Sequence, residues 1–215
     1  LSVIEDAAQA IGSKYNGIYA GKFGDFGCFS AHPLKNLNAI GDSGYLITKS
    51  KKYSSYIRDL KNHGMTNRDK IKNFGYVSRM DNLQAAILTY RMKHLKDIIK
   101  IRRKNFNIYK KYLNRNIVYF PEEKKKEFNT YHTFVIQVPH RDKLKLYLKK
   151  KGVQTAIHYP IPIHLQPAAK RLGYKYGDFP ETEKQSKTII TLPINQYLKK
   201  KQIIFISNLV NEFYK

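Results

Sequence analysis

The sequence predicts an α/β protein in two parts, and three observations carry the prediction. Strand-like apolar runs alternate with stretches of helical spacing up to about Tyr112, and small residues crowd the loops between them. A polar, lysine-rich stretch at 114–129, containing Pro121, then interrupts that texture. A smaller α+β mixture follows, so the expected domains are residues 1–113 and 114–215.

Taken in order, residues 3–5, 24–30 and 44–48 read as strands. Residues 50–62 place Tyr53, Tyr56, Ile57 and Leu60 at helical spacing. A long helix is expected from Asp81, its N-cap, with Leu83, Ala86, Ile87, Tyr90, Leu95 and Ile98 on one side. In the second part, residues 131–138 read as a strand, 141–151 as a helix stopped by Gly152, and 153–157 as another strand. The stretch to Pro167 holds too many prolines for regular structure, and a last helix is expected at 198–213. There is no internal repeat.

The formal charge is +24, which invites an anionic partner. Lysine dominates over arginine, however, and Asn, Ile and Tyr are all abundant, the bias of an AT-rich genome. The runs at 124–126, 149–151 and 199–201 fall in a loop or at helix edges and lack the aromatic interleaving of nucleic-acid modules. A solvated face and no nucleic-acid partner are expected. No apolar run approaches the ~18 to 20 residues of a membrane span, so no membrane partner is expected. One cysteine, Cys28, excludes an internal disulfide and a Cys-rich zinc site. With no charged-then-apolar signal segment, a cytoplasmic location is expected. The chain opens on Leu1-Ser2-Val3-Ile4, already strand-like and without Met, so a preceding segment is expected.

The chemistry concentrates in the first fifty residues. Asp6 follows an apolar strand in Val3-Ile4-Glu5-Asp6-Ala7-Ala8-Gln9-Ala10, where tiny side chains let a flat ligand approach the backbone. Lys35 stands in Phe29-Ser30-Ala31-His32-Pro33-Leu34-Lys35-Asn36-Leu37, ahead of Gly41-Asp42-Ser43-Gly44. Alone, such an Asp is more often a helix cap and such a Lys is surface decoration.

Further strings share the same order: Gly24-Asp25-Phe26-Gly27-Cys28, Asn62-His63-Gly64, Arg79-Met80-Asp81-Asn82-Leu83-Gln84-Ala85-Ala86, Tyr131-His132-Thr133-Phe134, and His158-Tyr159-Pro160-Ile161-Pro162-Ile163-His164-Leu165-Gln166. Together they resemble the sugar aminotransferases of the DegT/DnrJ/EryC1/StrS family over essentially the whole chain. The resemblance implies the pyridoxal 5'-phosphate (PLP) transferase fold, type I, with part of the large α/β domain, a complete small domain, and a homodimer with sites at its interface. It also implies that Lys35 forms a Schiff base with PLP and serves as base and acid in the proton shift. A free lysine near pKa ~10.4 is a poor base at neutral pH, so desolvation and the cofactor's charge must lower it. Asp6 would pair with the pyridine nitrogen, raising its pKa by roughly 1 to 3 units and sustaining the electron sink. Gln9 would contact the ring oxygen and Ser30 the phosphate.

The loop after Ile157 resembles the stretch through which relatives that aminate the sugar C3 position meet the hexose. His158 and Tyr159 are the leading substrate candidates, with His164 and His32 beside them; the alternative is that His158 and His164 stabilise the loop. A zinc site from His32, His158 and His164 lacks any recognised ligand spacing. The implied reaction moves an amino group from glutamate to a keto carbon of a dTDP- or UDP-linked deoxyhexose, in amino-sugar biosynthesis for surface polysaccharide or related glycoconjugates. The alternatives are a dehydratase, which would carry histidine where Lys35 stands, and a non-catalytic binding or regulatory relative. Two departures stand out: Val77 where relatives commonly carry a phosphate-reaching Asn, and Asp42 in place of the usual Glu. The 215-residue piece by itself is expected to be inactive.

Overall fold

A computed structural model describes all residues, 1–215, and divides the chain into two compact units. Leu1–Lys100 and Glu123–His132 form the first, and Ile101–Glu122 and Thr133–Lys215 form the second. The boundary therefore differs from the expected 113/114. One crossing falls within a helix, and residues 123–132 return to the first unit. A short strand explains that return: β8 (Glu127–Phe128) pairs antiparallel with β2 (Lys14–Tyr15), which also pairs with β3 (Ile18–Tyr19). The Asn16 N–H donates to the Lys126 carbonyl at 2.7 Å. Polar composition suggests a linker, but strand pairing uses backbone groups that composition does not report.

In the first unit, β1 (Ile4–Asp6) lies parallel to β4 (Phe26–Ser30), and β5 (Gly44–Ile47) lies antiparallel on the other side of β4. β4 passes so close to the preceding turn that a β-carbon at Gly27 would overlap the Gly21 carbonyl. α1 (Lys51–Leu60) is capped by Ser50, whose Oγ accepts from the Tyr53 N–H at 3.2 Å, and buries none of its residues. A hairpin of β6 (Met65–Asn67) and β7 (Lys70–Ile71) follows.

The long helix expected from Asp81 is broken. α2 (Asn82–Met92) ends before His94, and α3 (Leu95–Tyr112) begins anew. Asp81 occupies the N-cap position with extended backbone, but its side chain makes no cap bond. The expected apolar face is corrected accordingly. Leu83 and Tyr90 are each 64% exposed, whereas Leu88, Leu95 and Ile99 pack with Ala31, Leu37 and Ala39. The break resets the helical phase, so one 3.6-residue period cannot describe both helices.

The second unit surrounds a two-stranded sheet. β9 (Phe134–Gln137) pairs antiparallel with β10 (Ile189–Leu192), with α4 (Arg141–Lys150), α5 (Pro180–Thr188) and α6 (Lys200–Phe213) alongside. Phe134 meets Phe106, Tyr109 and Phe120 at ring separations of 5.6, 4.9 and 5.1 Å. Tyr109 is fully buried and donates to the Pro193 carbonyl at 2.7 Å. The strand expected at 153–157 is a single bridge, Ala156 to Thr191 of β10, and the strand that pairs along β9 is β10. The proline-rich loop contains 3₁₀ turns at Ile163–Leu165 and Pro167–Leu172. Gly152 ends α4 in the left-handed region, φ 78°, as expected.

Candidate cofactor and substrate site

The sheet of the first unit brings three of the expected cofactor residues to one edge. Parallel pairing of β1 with β4, in register Asp6 to Cys28, makes both strands end on the same side. Asp6 closes β1 and Ser30 closes β4. Ala7 is buried and donates to the Cys28 carbonyl at 2.9 Å, and the Ala10 N–H returns to the Ala7 carbonyl at 3.0 Å, so Gln9 sits exposed in that turn. Asp6 Oδ1 accepts from the Ala8 N–H at 3.0 Å. Its other oxygen and the Gln9 amide bond nothing within the chain.

The Lys35 loop leaves β4 directly and is tied down from several directions. Ser30 Oγ accepts from the His32 N–H at 3.3 Å, which leaves the hydroxyl proton free to donate. The Lys35 N–H donates to the His32 carbonyl, and the Asn38 side-chain amide to the Pro33 carbonyl. From α2, Arg91 Nη1 donates to the Asn38 carbonyl at 2.8 Å, and Gln84 Oε1 accepts from the Ile40 N–H at 2.9 Å. Asn36 is 3% exposed and donates to the Thr130 carbonyl. These anchors fix the backbone around Lys35. Lys35 is half-buried, and its Nζ has no hydrogen-bond or ion-pair partner in the chain.

Four contributors lay outside the sequence-based assignment of roles. Asn36, Gln84 and Arg91 hold the Lys35 loop, and Glu5 holds the turn before β4. Glu5 accepts from the backbone N–H groups of Gly21, Phe23 and Gly24 at 2.7, 2.5 and 2.6 Å. Burial alone would raise the Glu5 carboxyl, but those three bonds hold it below the usual carboxylate value. The adjacent acids Glu5 and Asp6 point to opposite faces of a strand, a period-2 signal that could have separated their roles. No comparable signal marks Asn36, whose partner lies 94 residues away.

His32 is engaged locally. Nδ1 accepts from the Leu34 N–H at 3.2 Å, and Nε2 lies 3.7 Å from Asp42 Oδ1 in an exposed pair. Val77 is 66% exposed and bridges to Asn62, which accepts from Arg79 Nη1 at 3.2 Å.

The remaining substrate candidates belong to the second unit. His158 Nδ1 lies 2.8 Å from Thr191 Oγ1, and Tyr159 is exposed. His164 differs from both: its Nε2 is 2.9 Å from Glu183 Oε1, with the two side chains 8% and 4% exposed. The one hydrogen-bond partner of its ring is a buried carboxylate, the position of a loop anchor. No three His, Cys, Asp or Glu side chains converge as a metal site, and no helix is long and apolar enough to cross a membrane.

The residues at the β1/β4 edge suit PLP. A carboxylate oxygen, an amide and a hydroxyl proton are unspent beside tiny side chains, and an unpaired lysine amine follows on the next loop. An α/β unit with this edge, followed by a smaller α+β unit, is the architecture of PLP-dependent sugar aminotransferases. The chain belongs to the DegT/DnrJ/EryC1/StrS aminotransferase family, whose sequence pattern matches residues 1–211.

Two curated relatives and two solved structures locate it within that family. A pleiotropic regulatory protein of Geobacillus stearothermophilus is 39% identical, covering 100% of this chain and 59% of its own. A UDP-N-acetyl-3-dehydro-α-D-glucosamine 3-aminotransferase of Acidithiobacillus ferrooxidans is 36% identical, covering 98% and 56%. DesV of S. venezuelae, solved in complex with a ketimine intermediate, superposes with a TM-score of 0.96 at 30% identity, over 100% of this chain and 58% of its own. A family member from Brucella abortus gives 0.93, also at 30%, over 99% and 57%. The chain thus spans under three-fifths of each of these proteins' length.

Proposed function

We propose that this chain is part of a PLP-dependent aminotransferase that acts on nucleotide-linked keto sugars. The observation that carries the reading is the unpaired Nζ of the half-buried Lys35 on a loop anchored from α2 and Thr130, with Asp6, Gln9 and Ser30 of the same unit keeping bonding capacity unspent. PLP bound there supplies an electron sink for the amino-group transfer. Asp6 would keep the pyridine nitrogen protonated, Gln9 would bond the ring oxygen, and Ser30 would donate to the phosphate. Lys35 would hold the cofactor and would serve as the base and acid that moves the proton at the substrate carbon. His158 and Tyr159 contact the sugar, and His164 supports their loop.

Relatives named for UDP- and dTDP-linked sugars support the substrate class. We infer glutamate as donor, a homodimer, a cytoplasmic setting, and a product destined for surface polysaccharide. Lysine rather than histidine at position 35 disfavours the dehydratase. The regulatory reading draws support from the names of two relatives, the regulatory protein that is 39% identical and a sensory transduction protein of Saccharopolyspora erythraea that is 35% identical.

The test is an absorbance spectrum of the full-length protein with PLP, before and after borohydride, repeated with Lys35→Ala. The expected result is a long-wavelength band that borohydride fixes covalently onto Lys35 and that the variant lacks. A folded protein with no such band would sink the enzyme reading and bring the regulatory one forward.

A further inference from the structure

We propose that Glu183 is a positioning residue for the substrate loop: its buried carboxylate ties His164 to the turn at Gly177, and so holds the segment that presents His158 and Tyr159. The inference rests on the reading above that His158 and Tyr159 meet the sugar.

The loop is pinned at two points six residues apart. At one end His158 Nδ1 meets Thr191 Oγ1 at 2.8 Å; at the other His164 Nε2 meets Glu183 Oε1 at 2.9 Å. Both anchors come from one continuous piece of chain, since α5 carries Glu183 and runs directly into β10, which carries Thr191. Between the pins Pro160 and Pro162 restrict the backbone, and the Leu165 N–H closes onto the Pro162 carbonyl at 3.0 Å. With both ends held and the middle stiffened, the backbone that carries the exposed Tyr159 is restrained.

Glu183 carries more than one of these bonds. Its Oε1 also accepts from the Gly177 N–H at 2.8 Å, so one carboxylate joins three segments: the loop, the turn before α5, and α5 itself. Gly177 has φ 98°, which a side chain rarely adopts, and this places its N–H for the bond. The ring of Phe179 lies 4.7 Å from that of His164, and Tyr174 packs edge-on to Phe179. Burial pushes the Glu183 carboxyl up, but the bonds from His164, Gly177 and Phe179 bring it below the usual value, so it stays ionised at neutral pH. The neighbouring charges are committed elsewhere: Lys187 to the Tyr176 hydroxyl at 2.7 Å, and Asp178 to the Lys175 N–H at 2.7 Å.

The test compares Glu183→Ala, Glu183→Gln and His164→Asn in the full-length protein by amide hydrogen exchange and by half-reaction kinetics. L-glutamate serves as donor probe and dTDP-3-amino-3,6-dideoxy-α-D-galactopyranose as sugar probe. Glu183→Ala is expected to speed exchange in 157–167 by about tenfold, the scale of a lost buried charged hydrogen bond, with exchange in 134–150 unchanged. Glu183→Gln, which keeps an acceptor for Gly177, should fall between it and wild type, and either it or His164→Asn reads the same effect if the alanine variant does not fold. The KM for the sugar should rise while the glutamate half-reaction stays at the wild-type rate. Wild-type exchange in 157–167 overturns the proposal whatever the kinetics. Faster exchange with an unchanged sugar KM overturns the positioning role. A wild-type protein that reacts with neither probe but loosens in the variants marks failure of the enzyme reading instead, and with it of Glu183's part in substrate placement.

Discussion

The two units solve the problem of order differently. The second is held by a conventional core, in which Phe106, Tyr109, Phe120, Phe134, Ile136, Leu144, Leu148, Ile190, Leu192 and Ile203 are all buried. The first has a smaller buried cluster, Ala31, Leu37, Ala39, Leu88, Leu95 and Ile99, with Ala7 and Phe29 also buried, and leaves Leu34, Ile40, Phe74 and Tyr76 open. Its site is ordered mainly by side-chain bonds to backbone, from Glu5, Asn36, Gln84 and Arg91. A chemical edge is thus built where backbone ends meet. Hydrogen bonds have direction where apolar contacts do not, so they are suited to holding a loop that must present one lysine.

Four changes break or sharpen that contrast. Phe134→Ala should cost about 3 to 5 kcal/mol in a urea melt, because the cavity opens among three aromatic rings that cannot collapse into it. A loss under about 1 kcal/mol would mean that the second unit is not core-dominated. Asp6→Asn should leave the melt near wild type yet slow amino transfer by about 1.4 to 4 kcal/mol of barrier, the energy in one to three pKa units at the pyridine nitrogen. Single-turnover absorbance with glutamate measures it.

Glu5→Gln should destabilise by about 1 to 2 kcal/mol, since the carboxylate satisfies three backbone donors on a partly exposed turn. The sign follows from linkage. A carboxyl held below its usual value of about 4.5 stabilises the fold above that pH and loses its contribution as pH falls through the folded-state value. Melts of the wild type should therefore weaken below 4.5, and those of the Gln variant should weaken less. The smallest effect is expected from Lys149→Gln with Lys150→Gln, both exposed at the end of α4. Stability should stay within about 0.5 kcal/mol. Retention on DNA that disappears in this variant would overturn the reading of these lysines as a solvated face.

The α/β class and the strands at β1, β4 and β5 were legible in the chain, because each rests on neighbours within a few residues, and the proposed Asp6, Gln9, Ser30 and Lys35 set rests on an ordered string of motifs. Apolar periodicity, a helix start and a glycine stop are local physics, and local physics survives in one dimension. What the tertiary structure alone decided joins residues far apart. It returned 123–132 to the first unit through β8, reset the helix phase at His94, placed β10 beside β9, and spent His164 on Glu183. A backbone ladder or a buried ion pair depends on which distant segments meet, and burial, which makes such a pair persist, is a property of the packed molecule rather than of the residues that form it.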